Sequence, residues 1–422
     1  MKKVTSALAL AALVGSPAAF AIDVNFGGDA DFGVYGTRDG ASNNLGTGAE
    51  QRIRLATSVE TDGGVEVHAR LNLFNDRWTG DNSGVSTQDD TPYSLRDHRN
   101  VELDYGYVSM RTALGQLNIG RQQANWNNNF TTSDDRRDRV SLVTPLGGGH
   151  TMITVYDRRQ DATTQSLDNP PVEGSDSDRQ LDGHLGFFAF IGPLAENVSY
   201  GLLLAQFEAG GSGATTEGEI DGEAADLGYG PRGATLIAPY VEGEAGDLDY
   251  RIGGHYFGNG HGPAFNEDSF GIYAQSGFQL TPEFKMEGQV MYADGGTLVA
   301  GGYDSYSSLI HNSPDHDLTA TRIAGLDMGG LGNTDQEDDS VTLIATRGTY
   351  EMMDWTFMGA LGWVNYDRPS EDVDEDVVFA DLQAHYQLTE STTVYGTFGY
   401  ADTEDFLGNN SHASSLNVSV QF

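Results

Sequence analysis

The chain has 422 residues, no cysteine and a formal net charge of −39, from 62 acidic and 23 basic residues. Without cysteine it has no disulfide, no thiolate metal site and no thiol nucleophile. The strong negative charge argues against a nucleic-acid-binding protein, because such proteins contact phosphates through clustered lysines and arginines.

The first 21 residues, MKKVTSALALAALVGSPAAFA, predict a secretory signal peptide. Two lysines precede an apolar stretch at 7–14, and residues 19–21 have the A-x-A pattern of a cleavage site. We expect cleavage after Ala21, which leaves 422 − 21 = 401 residues and, with two lysines lost, a charge of −41. The apolar stretch is too short to span a bilayer as a helix, and no apolar stretch of sufficient length follows it in the sequence. If the mature chain enters a membrane, it must therefore do so as a closed β-barrel.

Segments of about ten residues with alternating apolar and polar side chains recur along the chain. In the segment VEVHARLNLFN at 65–75, every second side chain is apolar, and the face between carries charged and polar residues. A helix would repeat its apolar residues every three or four positions, so these segments are predicted to be strands. Eighteen such strands are predicted, at residues 24–36, 50–60, 65–75, 100–110, 115–121, 139–145, 150–157, 180–190, 198–208, 234–244, 247–257, 268–280, 284–294, 339–351, 354–366, 376–388, 392–402 and 412–422.

The connections between these strands alternate in length. Tight turns such as 62–64 and 245–247 alternate with long polar loops such as 158–179 and 209–232. Outer-membrane barrels have short periplasmic turns and long outer loops, whereas a soluble sandwich has no reason to sort its loops in this way. We therefore predict an all-β fold, a transmembrane antiparallel up-and-down β-barrel of 18 strands, with 16 strands as the alternative. The barrel would form a single domain over residues 22–422.

The chain ends on the alternating octapeptide SLNVSVQF, residues 415–422. Chain termini are usually frayed and polar, yet here four apolar side chains, the last of them Phe422, share one face. In a closed barrel the last strand pairs with the first, so we expect this terminus to be held in the sheet. Aromatic residues near strand ends are expected at the level of the lipid headgroups. They are Trp78, Tyr105, Tyr107, Trp355, Trp363, Tyr386 and Phe422.

The chain resembles the Gram-negative outer-membrane porin family in four features and in their order along the sequence. They are the signal peptide, FGVYG in the first strand, GQLNIGR (115–121) before a polar loop, and a C-terminal phenylalanine. The resemblance implies a general diffusion porin, a water-filled channel for small hydrophilic solutes and ions, and not an enzyme. It also implies a homotrimer in the outer membrane, among lipid and lipopolysaccharide, whose terminal Phe422 is read by the barrel-assembly machinery. No cofactor is expected beyond Ca²⁺ or Mg²⁺ that bridges acidic outer loops to lipopolysaccharide.

The resemblance further implies a pore constriction. In the family, the third outer loop folds into the barrel, where its acidic residues face arginines of the wall across a narrow waist. By position this loop is 124–138, whereas loop 78–99 would contact a neighbouring subunit and the long loop 295–338 would fold over the mouth. The implied constriction residues are Asp134 and Asp135 on the loop and Arg52, Arg54, Arg121 and Arg139 on the wall.

The alternation along each strand bears on these assignments. Three of the arginines lie on the opposite face from their apolar neighbours, so they point into the lumen. Arg121 shares its face with Ile119 and would need a kink at Gly120 to turn inward. An alternative is that the arginines only neutralise lumen carboxylates such as Glu60 and Glu66. The candidates for lining the lumen are Glu66, His68 and Arg70.

A weak preference for cations is expected, because the acidic chain raises the local cation concentration at low salt. One alternative is a substrate-specific channel for sugars or small acids, as for some eighteen-stranded relatives. Another is a barrel enzyme, although no G-x-S-x-G motif is present. A third is a calcium-binding surface protein, suggested by DVDED at 372–376; this stretch lacks the glycine and glutamate of an EF-hand loop and is predicted to be a solvated outer loop. No metal site is predicted, since His311 and His316 alone supply too few ligands.

Overall fold

The structure, a computed structural model, describes the greater part of the chain. The predicted signal peptide at 1–21, the loop 78–99, and His311 and His316 lie outside the described residues. The described residues are 23–38, 45–61, 63–77, 101–160, 183–209, 217–220, 223–226, 234–258, 268–295, 299–300, 302–310, 339–369 and 373–422.

Eighteen strands form one antiparallel sheet, which confirms the predicted fold class and strand number. They are β1 (Asp23–Arg38), β2 (Leu45–Glu60), β3 (Val65–Arg77), β4 (Glu102–Thr112), β5 (Gly115–Trp126), β6 (Thr132–Gly147), β7 (His150–Gln160), β8 (Gly183–Ala195), β9 (Val198–Ala209), β12 (Thr235–Ala245), β13 (Leu248–Gly258), β14 (Ser269–Thr281), β15 (Phe284–Asp294), β16 (Ser340–Met352), β17 (Trp355–Arg368), β18 (Val373–Thr389), β19 (Thr392–Ala401) and β20 (Ser411–Gln421). A separate two-stranded sheet is made by β10 (Glu217–Ile220) and β11 (Glu223–Asp226), and a short helix, α1 (Glu404–Leu407), precedes β20.

The sheet closes into a barrel because β1 pairs with β2 on one side and with β20 on the other. Each remaining strand pairs with its neighbours in chain order, and β9 pairs directly with β12. The tight turns gather at one end, here called the turn end, and the longer connections leave from the other, the loop end. No helix among the described stretches is long and apolar enough to cross a membrane. Residues 373–376 of the predicted outer loop DVDED belong to β18, so that prediction was wrong for them.

The outer face of the barrel is apolar, as the alternation predicts. Ile344, Leu361 and Leu382, on three successive strands, are each at least half exposed to the surroundings of the barrel. At the turn end, the ring of Trp355 packs 4.7 Å from that of Tyr386. Two residues expected in this aromatic belt, Tyr105 and Tyr107, point into the lumen instead. A third, Trp78, is outside the described residues. The reason is that Tyr105 and Tyr107 have the same parity as the inward residues of β3 with which they pair.

The terminal Phe422 is tied to the first strand by a reciprocal pair of main-chain hydrogen bonds. Gly28 N donates to Phe422 O at 2.7 Å, and Phe422 N donates to Gly28 O at 3.0 Å. A Cβ atom at Gly28 would lie 2.6 Å from Cζ of the Phe422 ring, so glycine is required where the two ends of the chain meet. The exposed Phe422 ring thus lies on the outer face over the seam of the barrel.

Replacing Phe422 with alanine should slow the formation of the closed barrel, because the ring covers the seam between β1 and β20. We expect a smaller folded fraction in the membrane shortly after synthesis, measured by the change in gel mobility on heating. Leu416→Ala is the control, because Leu416 is an equally exposed outer residue of the same strand that lies away from the chain end. Equal folding rates for the two variants would contradict this role of Phe422.

The inner face is divided in two. On β2–β7 it carries charged side chains, whereas on β16–β18 it carries fully buried apolar ones, such as Leu343, Val364 and Phe379. Apolar residues facing a water-filled lumen would be unfavourable. They are covered by residues 299–300 and 302–310 from the connection between β15 and β16, here called the inner segment. The buried hydrophobic residues of this segment are Val299, Ala300, Tyr303, Tyr306, Leu309 and Ile310.

Candidate functional site

The predicted constriction loop at 124–138 is mostly a β-hairpin that bends into the barrel. β5 continues to Trp126 and β6 begins at Thr132, so only residues 127–131, here called the hairpin tip, form a loop. Three successive asparagines of the tip have φ angles of 58°, 55° and 61°. Asparagine tolerates this left-handed conformation better than most residues, which suits the run NNN to a tight reversal.

The hairpin tip crosses the interior to a distant part of the wall. The indole Nε1 of Trp126 donates to Ala238 O on β12 at 2.9 Å. Asn127 Nδ2 donates to Gly254 O on β13 at 3.0 Å, and the Thr131 hydroxyl lies 3.0 Å from Nδ1 of His255. Strands β7, β8 and β9 lie between β6 and β12 in the barrel, so these contacts are made across the lumen.

The hairpin tip meets the inner segment within the lumen. Ala300 N donates to Phe130 O at 3.0 Å. The fully buried ring of Phe130 lies 4.8 Å from the rings of His255 and Tyr273 and 5.1 Å from that of Tyr303. Two segments from different loops therefore join around one aromatic side chain.

The inner segment is held against β15–β18 by polar as well as apolar contacts. Ser308 N donates to Asp381 Oδ1 at 3.0 Å, and the Tyr303 hydroxyl donates to Gln289 Oε1 at 2.9 Å. Leu309 and Ile310 are completely buried. Burial of such a side chain contributes about 1.5–3 kcal/mol. The segment thus fills the lumen along β15–β18, and a solute path must pass beside it.

Two of the predicted wall arginines form ion pairs with the first strand. Arg52 Nη2 lies 2.8 Å from Asp31 Oδ2, and Arg54 Nε lies 2.8 Å from Asp29 Oδ1. All four side chains are mostly buried on the inner face, where each arginine stands opposite its aspartate in the register of β1 and β2. Carboxylates from β1 therefore neutralise these arginines, whereas the alternative considered from the sequence assigned that role to Glu60 and Glu66.

The predicted acidic pair lies beside Arg139, and not opposite it across the pore. Asp134 and Asp135 are on β6, and Asp135 Oδ2 is 3.3 Å from Arg139 Nη2 on the same strand. Arg139 Nε also lies 2.9 Å from Oδ1 of the fully buried Asp157 on β7. The expectation that Asp135 faces Arg139 across the waist is therefore wrong. The reason is that β6 begins earlier than the predicted strand 139–145 and so carries both residues on one wall.

Arg121 points away from the lumen, contrary to the prediction. Its Nε lies 3.2 Å from Oδ1 of Asp138, its register partner on β6, and both side chains are well exposed. Gly120 does have an unusual φ of +127°. A Cβ there would lie 2.4 Å from Gly106 O, so the glycine permits close strand contact, but Arg121 keeps the outward parity of Ile119.

The three candidates for lining the lumen lie together on the inner face of β3. His68 stacks on Tyr107 with ring centroids 4.7 Å apart, and its Nε2 is 3.2 Å from Glu66 Oε2. Arg70 lies over the ring of Tyr105 and pairs with the buried Asp104. The same carboxylate of Asp104 pairs with Arg136, which also lies 2.6 Å from Asp134. These charged residues form a continuous network on β3–β6.

A cavity of about 1060 Å³, here called the chamber, lies between the hairpin tip and the turn end. Arg251 Nε is 2.8 Å from Glu242 Oε2, Lys285 Nζ is 3.0 Å from Asp249 Oδ2, and Arg347 Nη1 is 2.6 Å from Asp304 Oδ2. The Arg347 guanidinium also stacks over the Tyr306 ring at 4.1 Å. The charged residues that line the chamber are Arg251, Lys285, Arg347, Glu242, Glu244, Asp249, Glu287 and Asp304.

None of the charged residues of the chamber was predicted as a site residue. One signal was available, because Lys285 is the sole lysine after the predicted signal peptide. The other two cations, Arg251 and Arg347, lie on β13 and β16, which are separated by two further strands in the sheet. Their association therefore depends on contacts that are distant in sequence.

A family model described as Gram-negative porin matches residues 6–405. The chain is a Gram-negative porin. It is a passive diffusion channel of the outer membrane, which agrees with the closed barrel and the charged lumen. Membership of this family points to a channel rather than to an enzyme. In the porin, the turn end is periplasmic and the loop end faces the outside. A comparison with curated proteins finds no significant match.

Solved structures with the same fold are similar to this porin in shape but not in sequence. Pseudomonas aeruginosa OccK9 (OpdG) has a TM-score of 0.57 and 14% identity, covering 95% of this chain and 99% of that chain. OccK11 (OpdR) from the same organism has a TM-score of 0.56 and 8% identity, over 95% and 96% of the two chains. The anion-selective porin from Comamonas acidovorans has a TM-score of 0.47 and 11% identity, over 95% and 100%.

Proposed function

We propose that the channel of this porin is narrowest where the hairpin tip meets the inner segment. It would admit small hydrophilic solutes and ions with a weak preference for cations. The observation that carries this proposal is the junction of Phe130 with Ala300 and Tyr303, since it joins two inward segments inside the lumen. An outer loop that merely covered the mouth would not contact β12 and β13 from within.

The paired charged side chains on the inner face of β1–β7 support the preference for polar solutes. Water ordered by paired charges such as Arg52 with Asp31 and Arg54 with Asp29 is costly to displace. An apolar solute cannot replace the hydrogen bonds of that water, whereas a polar solute can. The path beside the network is therefore expected to exclude apolar molecules.

The balance of charge in the lumen supports a cation preference. On β1–β7 the arginines named above pair with nearby aspartates, so their positive charge is largely cancelled. The chamber is lined by five carboxylates and three cationic side chains. The resulting negative potential acts within about 8–10 Å at moderate ionic strength and is screened at higher salt. Cations would therefore be enriched in the chamber mainly at low salt.

The outward ion pair of Arg121 with Asp138 supports a homotrimer. An arginine that faces lipid near the middle of a barrel costs about 2–4 kcal/mol. Further along the same outer face, the Tyr156 hydroxyl lies 2.8 Å from Nδ1 of His184. A neighbouring subunit over β5–β8 would remove these polar groups from lipid. We propose this face as a contact between subunits.

Recordings from the purified porin in a planar bilayer test these proposals together. We expect stepwise openings in groups of three, and at low salt a reversal potential whose sign indicates cation preference. Raising the salt on both sides should reduce that preference, because the carboxylates of the chamber are then screened. A preference for anions at low salt would contradict the cation proposal, and openings in single steps would contradict the trimer.

The contacts with the cell envelope are also proposals. The ring of Phe422, which is exposed, would be read by the barrel-assembly machinery, and the Phe422→Ala variant tests this proposal. Lipid and lipopolysaccharide would surround the apolar outer face, with Ca²⁺ or Mg²⁺ between acidic loops and lipopolysaccharide. In the described stretches, no group of three or more histidine, aspartate or glutamate side chains is arranged to hold a metal ion. Loss of copurifying lipopolysaccharide from the porin on treatment with a chelator would support such bridges, and an unchanged lipopolysaccharide content would oppose them.

A further inference from the structure

We infer that the chamber is a transit site for small zwitterionic solutes, such as amino acids, which exchange into its ion pairs as they pass. This inference rests on the proposed function, because it concerns solutes that have crossed the same channel. It names a solute class and a set of residues that neither the family nor the fold assigns.

The geometry that points to zwitterions is the alternation of opposite charges along the chamber wall. Arg251 and Asp249 project from β13, Lys285 and Glu287 from β15, and Arg347 from β16. Neighbouring strands are about 4.8 Å apart, so these charges extend over about 14 Å of wall. Glu287 lies between two cations, 3.4 Å from Lys285 Nζ and 2.9 Å from Arg347 Nε. A solute moving along this wall always has both signs of charge within reach.

A zwitterion can enter such an ion pair without leaving either charge unpaired. Between Arg251 and Glu242, its carboxylate would bind the guanidinium and its ammonium group would bind the carboxylate. A simple cation or anion would bind only one partner and leave the other to water, so it gains less from the site than a zwitterion does. A neutral sugar offers only dipoles, so it competes less well for both partners.

The ion pairs of the chamber are accessible enough to be exchanged. The side chains of Arg251 and Glu242 are 40% and 36% exposed, and those of Lys285 and Asp249 are 32% and 48% exposed. In contrast, the pair of Arg139 with Asp157 on the wall is buried, so a solute cannot reach it. Exposed ion pairs are weak, so a passing solute can readily exchange into them.

A row of neutral hydrogen-bonding groups separates the chamber from the constriction. Asn128 Nδ2 donates to Gln275 Oε1 at 2.7 Å, and Gln275 Nε2 donates to Gln289 Oε1 at 3.0 Å. The same oxygen accepts the Tyr303 hydroxyl. Arg251 Nη1 also donates to Asn128 Oδ1, which links the charged wall to the hairpin tip. A solute that leaves the constriction therefore meets amide dipoles first and the ion pairs next.

The test compares the influx of L-glutamine and arabinose into proteoliposomes that contain the intact porin. The two solutes are similar in size, but only glutamine carries both charges. We expect faster influx of glutamine in the natural protein. In the double variant Arg251→Gln/Glu242→Gln, the ratio of glutamine to arabinose influx should fall by about twofold to fivefold, the range for partly exposed ion pairs. The influx of L-lysine and of L-glutamate is measured in parallel. Each should depend less on the intact chamber than the influx of glutamine does.

The control is Arg121→Gln/Asp138→Asn, which removes an ion pair from the proposed subunit contact and not from the lumen; each subunit keeps its own chamber, so the ratio should be unchanged. An unchanged ratio in the chamber variant, or a loss of lysine or glutamate influx in that variant as large as the loss of glutamine influx, would overturn the inference. In either case, ion conductance and arabinose influx would still support the channel proposed above. Failure of the proposed function would look different, because neither ions nor arabinose would then cross.

Discussion

Replacing Phe130 with alanine should raise the single-channel conductance and the current noise of the porin. Its fully buried ring joins the hairpin tip to β13, β14 and the inner segment. Removal of a buried phenylalanine ring typically costs about 3–5 kcal/mol. Because the strand hydrogen bonds of the barrel do not involve this side chain, most of that cost should fall on the attachment of the tip. Planar-bilayer recordings measure the result directly.

Phe188→Ala is the control for this variant. Phe188 lies on β8 and is 50% exposed on the outer face, so its removal changes the apolar belt without changing the lumen. Its conductance should equal that of the natural porin. If folded Phe130→Ala channels also conducted normally, the junction of the tip with the inner segment would not be the narrowest part of the path.

Replacing Arg139 with methionine should destabilise the barrel by about 3–5 kcal/mol, the usual cost of breaking a buried ion pair. The change would leave the fully buried Asp157, and beside it Asp135, without the guanidinium that now lies between them. It should also shift the reversal potential further toward cations, because a positive charge is lost from the lumen wall. Denaturant unfolding in lipid vesicles measures the first effect, and a salt gradient across a bilayer measures the second.

Arg251→Met provides the comparison, since it also removes an arginine from an ion pair inside the lumen. The pair of Arg251 with Glu242 is partly exposed, so its loss should change the free energy of unfolding by no more than about 1 kcal/mol. Both variants should shift selectivity in the same direction. Equal stability of the two variants would show that burial of Asp157 does not control the energy of the Arg139 pair.

The barrel could be predicted from the sequence because its signal is local. A strand such as Val65–Arg77 has one face in lipid and one in the lumen, and this environment produces the alternation that the sequence shows. The same alternation placed Glu66, His68 and Arg70 on the inner face. It also indicated that Arg121 faces outward, whereas the family resemblance implied that this residue faces the lumen.

The packing inside the lumen could not be predicted in the same way. Leu343, Val364 and Phe379 face inward although they are apolar, because the inner segment covers them. That cover comes from contacts distant in sequence, such as Ser308 with Asp381, and no periodic pattern marks them. For the same reason, the hairpin tip was predicted as a longer loop, and the partners of Arg52 and Arg54 on β1 were missed.

The inner segment also allows the circumference of the barrel and the aperture of the channel to change independently of each other. The number of strands determines the circumference of the barrel, and altering it requires a new hairpin with matched register on both sides. The aperture, in contrast, depends on how far the connection between β15 and β16 extends over the inner wall. Insertions, deletions or substitutions in one connection can therefore widen or narrow the channel during evolution while every strand pairing is retained.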